Sequence, residues 1–108
     1  MNPRGTLRIG SLELDWDRHT VRVHGRPVAI AGLQLRLLEL LAGRPGVVFG
    51  RDQILTSVWG RHADQRDSKT VDVLVCRLRR RLGDAGALVE TRRAFGYYLK
   101  GNDDEGMD

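Results

Sequence analysis

Four arginines crowd the segment DSKTVDVLVCRLRRRLG, residues 67–83, at positions 77, 79, 80 and 81. A guanidinium is a planar fork of donors that grips phosphate or carboxylate and pairs with the acceptor edge of guanine. The chemistry on offer is recognition of an acidic partner. Within this segment no acid stands four residues from any of the four, so like charges are held together without stabilising pairs. On a helical wheel Val71, Leu74, Val75, Leu78 and Leu82 share one stripe. Lys69, Val73, Cys76 and Arg80 lie opposite, flanked by Arg77 on one side and by Asp72 and Arg79 on the other. A face kept only for solubility has little use for Val73 and Cys76. A face pressed into a groove uses small or apolar side chains for close approach and arginines for phosphates and base edges.

The other reactive side chains offer less. Cys76 has arginines beside it that could lower its pKa, but no histidine base is near in sequence, so packing or groove contact is the expected role. His19, His24 and His62 are read in a strand, a turn and a loop, none at metal-ligand spacing with a cysteine or acid. Asp15 and Asp17 read as surface on an exposed strand edge, and Trp16 and Trp59 as core or core-rim. No glycine-rich phosphate loop is present. Neither an enzyme, a metal site nor a cofactor is expected.

The totals agree with a binding module. The chain has 108 residues, enough for one domain, with 41% hydrophobic and 30% charged residues. Lys and Arg number 18 against 14 Asp and Glu, for a net charge of +4. Residues 61–82 alone carry +4, and the tail GNDDEGMD has four acids and no base, which leaves residues 1–100 at +8. Such a basic body raises the expectation of a polyanionic partner. One cysteine permits no internal disulfide, and no signal-peptide or membrane-spanning run is present, so a cytoplasmic setting fits.

The elements that position the arginine face follow from periodicity. Four short stretches, LRIG, LELDW, TVRVHG and PVAI, alternate apolar and polar residues and predict an antiparallel sheet of about four strands, with HGRP as a hairpin turn. Residues 31–46 switch to helical spacing, with Leu33, Leu37, Leu38 and Leu41 on the apolar face and Gly43 and Pro45 as the stop. A second short helix spans 50–60, with Asp52 favouring its N-terminal dipole and Ile54, Leu55 and Val58 inward. Gly60 and RHADQRDS read as an exposed connection. The third helix begins at Ser68, or at Asp67 as its rival N-cap, and ends at Gly83. LVETRR and GYYLK then form a hairpin closed around Ala94-Phe95-Gly96, with basic residues at its tip. The last eight residues, 101–108, are expected to be disordered.

Laid out in this order, the chain resembles the winged-helix DNA-binding effector domain of the OmpR/PhoB family of bacterial two-component response regulators. The resemblance covers roughly residues 7–100 and rests on LLELLAGRPGVVFGRDQILTSVWG (37–60), KTVDVLVCRLRRRL (69–82) and GYYL (96–99). It implies an α+β fold: a winged helix-turn-helix with an N-terminal antiparallel sheet, a three-helix bundle and a C-terminal β-hairpin wing. Residues 1–6 would be a linker stub or flexible N-terminus. The implied function is sequence-specific double-stranded DNA binding as a transcriptional regulator, with helix 68–82 in the major groove and wing 88–100 in the minor groove.

By position, the resemblance implies DNA contacts from Trp59, Lys69, Thr70, Asp72, Val73, Cys76, Arg77, Arg79, Arg80, Thr91 and Arg93. Arg77 is the base-edge candidate; Lys69, Arg79 and Arg80 would hold phosphates, and Arg93 would enter the minor groove. Loop 60–67, with Arg61, His62, Asp64, Gln65 and Arg66, resembles the segment that touches RNA polymerase. Tandem homodimers on direct repeats, and a sensor histidine kinase acting through a receiver domain absent from this chain, are further implications. Excision from a longer protein is expected over a receiver-less one. The chain departs from the family at Cys76, where arginine is frequent, at Leu74, where a longer polar side chain is common, at Ala94, which replaces a wing glycine, at Tyr98, and at Gly50, the usual place of a capping serine. Two rival classes are a winged-helix protein-interaction module and a non-specific nucleic-acid binder.

Overall fold

Residues 5–101 are described here from a computed structural model; for Asp64 and Gln65 the backbone alone is described. Four short strands open the fold: β1 (Thr6–Ile9), β2 (Leu12–Asp15), β3 (Thr20–Val23) and β4 (Arg26–Val28), antiparallel in that spatial order. Their period-two pattern buries Ile9, Leu12, Leu14, Val21 and Val23 on one face. The β3–β4 turn holds only His24 and Gly25, with φ of 52° and 77°. Two positive φ values in a two-residue loop make a type I′ turn, whose twist matches the strands it joins.

Asp15 and Asp17 do not lie on a strand edge as expected. Asp15 ends an inner strand, and its Oδ1 accepts the backbone N–H groups of Asp17 and Arg18, at 3.0 and 3.1 Å. This Asx-type bonding shapes the β2–β3 turn. His19 falls in that turn at φ 55°, not in a strand, and its Nδ1 meets Glu39 Oε2 at 2.5 Å. Thr6 and Gly101 belong to the fold, inside segments read as terminal: Thr6 pairs with Asp15 and Gly101 is buried beside Pro45. Gly5 O accepts the Trp16 N–H at 2.9 Å, and residues 1–4 and 102–108 lie outside the described residues.

Three helices follow: α1 (Gly32–Ala42), α2 (Arg51–Trp59) and α3 (Lys69–Leu82). Leu37, Leu38 and Leu41 are fully buried on α1, whereas Leu33, in its first turn, is 39% exposed and leaves the predicted stripe. The expected α2–α3 loop is instead a short 3₁₀ helix, Gly60–Gln65, with Ala63 packed against the core. A second 3₁₀ helix, Gly83–Leu88, follows α3. Its Gly86 lies against α3 so closely that a Cβ would stand 2.4 Å from the Arg79 carbonyl oxygen.

The chain ends in a hairpin of β5 (Val89–Arg92) and β6 (Gly96–Leu99). Two backbone links strap the α1–α2 connection to β6. Gly46 N–H donates to Leu99 O at 2.7 Å, and Phe49 and Tyr97 exchange N–H···O bonds at 2.8 and 3.0 Å. A core of sheet, helix and hairpin residues is thereby shared, with no buried polar residue among those described.

Candidate nucleic-acid interface

The stripe Val71, Leu74, Val75, Leu78 and Leu82 is buried, which turns the opposite face of α3 outward. Leu74 is therefore a core residue and not a reading position. Lys69, Val73, Cys76, Arg77, Arg80 and Arg81 are exposed; Thr70, Asp72 and Arg79 are half-buried. Val73 keeps 48% of its surface in solvent, and Cys76 is an exposed free thiol. Among the described residues no carboxylate lies within ion-pair reach of Arg77, Arg80 or Arg81. Asp84, just past the helix, faces His24 at 3.3 Å. The arginine face is thus left uncompensated, as its spacing predicts.

The start of α3 resolves the choice of cap. Asp67 Oδ1 accepts the Lys69 N–H at 2.9 Å, and Ser68 makes no side-chain cap bond and already has helical φ and ψ. Asp67 is the effective N-cap.

Three of the expected contact residues, Asp72, Arg79 and Thr91, also tie the helix to its neighbours. Asp72 Oδ1 accepts Arg51 Nε at 2.8 Å and the Tyr97 hydroxyl at 2.5 Å. Arg79 donates Nε to Val89 O at 2.8 Å and Nη2 to Thr91 Oγ1 at 2.9 Å. The guanidinium carbons of Arg51 and Arg79 stand 5.4 and 5.7 Å from the Tyr97 ring centroid, within cation–π range. This network joins α2, α3, β5 and β6 around one tyrosine. Burial pushes the Asp72 carboxyl up, but the Tyr97 hydroxyl and the Arg51 guanidinium outweigh it and hold Asp72 below its usual value. Burial, reinforced by Asp72, pushes the Tyr97 phenol up. Its bond to Asp72 raises Arg51 further. Sequence reasoning missed Arg51 and Tyr97, because the pairs they make are 21 and 25 residues apart and no local spacing signals them.

The wing presents Arg92, Arg93, Ala94 and Phe95, all exposed, around a turn in which Phe95 N–H donates to Arg92 O at 2.8 Å. Ala94, at the third turn position, has φ 70°, the conformation a type II turn reserves for glycine. Gly96 takes φ 152° and crosses Phe49 so closely that a Cβ would sit 1.9 Å from its carbonyl oxygen. Only glycine fits there. Phe95, 70% exposed, is the wing's most prominent apolar group, and its sequence neighbours drew attention only as a turn.

Trp59 is 8% exposed and belongs to the hydrophobic core, as the core or core-rim reading expects. Arg61, His62 and Arg66 are exposed on and beside the 3₁₀ helix; the Asp64 and Gln65 side chains lie outside the described residues.

With this geometry in hand, comparison with known proteins gives concordant matches. The family described as "Transcriptional regulatory protein, C terminal" matches residues 25–99. The transcriptional regulatory protein CseB of Streptomyces coelicolor is 43% identical over 96 residues, covering 89% of this chain and 40% of that protein. The phosphate regulon regulator PhoB of Rhizobium meliloti is also 43% identical, over 87% of this chain and 42% of its own length. The chain thus spans about two fifths of the length of these curated relatives. Among solved structures, the DNA-binding domain of Klebsiella pneumoniae RstA in complex with the RstA box superposes with a TM-score of 0.75. It is 32% identical and covers 88% of this chain and 96% of that one. Among the described residues no helix is long and apolar enough to cross a membrane.

Proposed function

The chain belongs to the family of C-terminal domains of transcriptional regulatory proteins, of the OmpR/PhoB response-regulator type, and on that premise we propose that it binds double-stranded DNA in a sequence-dependent way to regulate transcription. The single observation that carries the reading is the outward face of α3. It has Lys69, Arg77, Arg80 and Arg81, without ionic partners among the described residues, around an apolar centre of Val73 and Cys76. Unpaired cations on a rigid helix suit phosphates, and an apolar centre suits the floor of a major groove.

In this reading Arg77 reads a base edge, Lys69 and Arg80 hold phosphates, and Arg93 enters the minor groove. Thr70, Val73 and Cys76 line the approach. Asp72, Arg79 and Thr91 act first through one another and the tyrosine network, by setting the angle between helix and wing. The role is one of binding and not catalysis, in the cytoplasm. Tandem occupancy of direct repeats, contact with RNA polymerase through Arg61, His62 and Arg66, and control by a histidine kinase through a receiver domain extend the same proposal.

The test is a selection from random duplex DNA at low and moderate salt. An enriched direct repeat at about ten to eleven base-pair spacing, blurred by Arg77→Ala, supports the proposal. Binding without enrichment reduces the domain to a phosphate grip, and no binding at all overturns the proposal in favour of a docking module.

A further inference from the structure

The tip of the wing carries a side chain that its surroundings do not account for. Turn tips are populated by glycine, asparagine, aspartate and serine, yet Phe95 stands there with 70% of its surface in water. Among the described residues the next most exposed large apolar one, Val73 at 48%, lies on the outward face of α3. Arg92 and Arg93 precede it in the same turn and are exposed with it. An apolar ring among cations is suited to a partner that is anionic at its rim and apolar within.

The tip is also held in place. Its turn is closed by the Phe95 N–H on Arg92 O, and Ala94 occupies a positive φ with fewer alternatives than glycine would have. Gly96 is pressed on the Phe49 carbonyl, and the Phe95 carbonyl lies where a Cβ on Gly50 would meet it at 3.6 Å. The tip is therefore braced against the entry to α2. An exposed ring on a braced turn loses little entropy when it inserts.

We infer that Phe95 is an apolar wedge that enters the DNA minor groove beside Arg93 and leans on a deformable base step. A phenyl ring has no donor or acceptor with which to read base edges. What it distinguishes is the ease of unstacking, which is greatest at pyrimidine–purine steps. An arginine favours an A·T-rich minor groove, so the step that suits both neighbours is TA. The inference rests on the DNA-binding proposal and adds a specificity element that acts through shape, at a position distinct from the α3 footprint.

The experiment takes the duplex recovered by selection and places either TA or AA at the wing flank, with 2-aminopurine at that step as a stacking reporter. The wild-type chain is expected to favour TA by roughly tenfold and to brighten the reporter. Phe95→Ala is expected to lose both effects and Phe95→Trp to keep them; thermal melting checks that each variant folds. Equal affinity for the two flanks, with an unchanged reporter in wild type and Phe95→Ala, overturns the wedge and leaves DNA binding intact. A loss in Phe95→Ala seen only on tandem sites and not on a single half-site overturns it too, by assigning the ring to the neighbouring copy. Failure of the wild type to bind any duplex removes the DNA-binding proposal and the wedge together.

Discussion

The Tyr97 hydroxyl, on the wing strand, donates to the Asp72 carboxylate, on the exposed helix, at 2.5 Å. This bond couples the two parts that the functional reading sends into different grooves. Replacing Tyr97 by Phe removes the hydroxyl and leaves a half-buried carboxylate with Arg51 as its remaining partner. The expected cost is about 1 kcal/mol of stability, checked by urea unfolding. In a double-mutant cycle, Tyr97→Phe and Asp72→Ala should cost clearly less together than the sum of their separate effects. Additive losses would mean that the two side chains meet without energetic consequence.

The same pair sets a pH dependence with a defined sign. Asp72 is held below its usual value of 3.8, so its contribution is present above that value and lost as pH falls through the lower, folded one. Tyr97 is held above its usual 10.0, so its share is present below 10.0 and lost as pH rises through the folded value. Unfolding curves across pH should show both limbs, and Asp72→Asn should flatten the acid one. An acid limb unchanged in that variant would assign it to other carboxylates.

At the wing, two small substitutions should act in opposite directions. Ala94→Gly relieves a left-handed φ and should raise stability by about 0.5–1 kcal/mol. Gly96→Ala drives a Cβ into the Phe49 carbonyl and should cost at least ~2 kcal/mol, since backbone on both sides must move. Thermal melts of the two variants decide the matter; a tolerated Gly96→Ala would mean that the hairpin rides further from the α2 entry than its hydrogen bonds indicate.

On the helix, Arg77 and Arg80 should separate by the kind of loss. Arg77→Ala should cost ~1–3 kcal/mol on the selected site and little on scrambled DNA. Arg80→Ala should weaken both equally and lower the salt slope by about 1. Binding titrations at several salt concentrations measure each. An identical profile for the two variants would deny Arg77 any reading role.

Much of this is legible in the sequence. The strands, the three helices and the wing follow from changes of period, and the outward arginine face follows from the stripe at Val71, Leu74, Val75, Leu78 and Leu82. What escaped depends on chain segments meeting from afar. Leu33 fits the apolar spacing of α1 yet falls beyond the reach of neighbouring elements. Asp72 reads as a polar flank of the interface, because nothing local announces Arg51 and Tyr97. The polar string after Gly60 reads as loop, although Ala63 finds a place against the core and tightens it into a 3₁₀ turn.

The strap between Phe49 and Tyr97 has a mechanical consequence. Because β6 is bonded to the chain entering α2, and Asp72 and Arg79 tie the hairpin to α3, the distance from helix to wing tip has little compliance. A duplex is the softer body, bending at a cost of a few kcal/mol. On the DNA-binding reading proposed above, the protein would then work as a caliper of set span. Sites whose grooves do not match its jaws must themselves yield, and the energy of that yielding enters the choice of site.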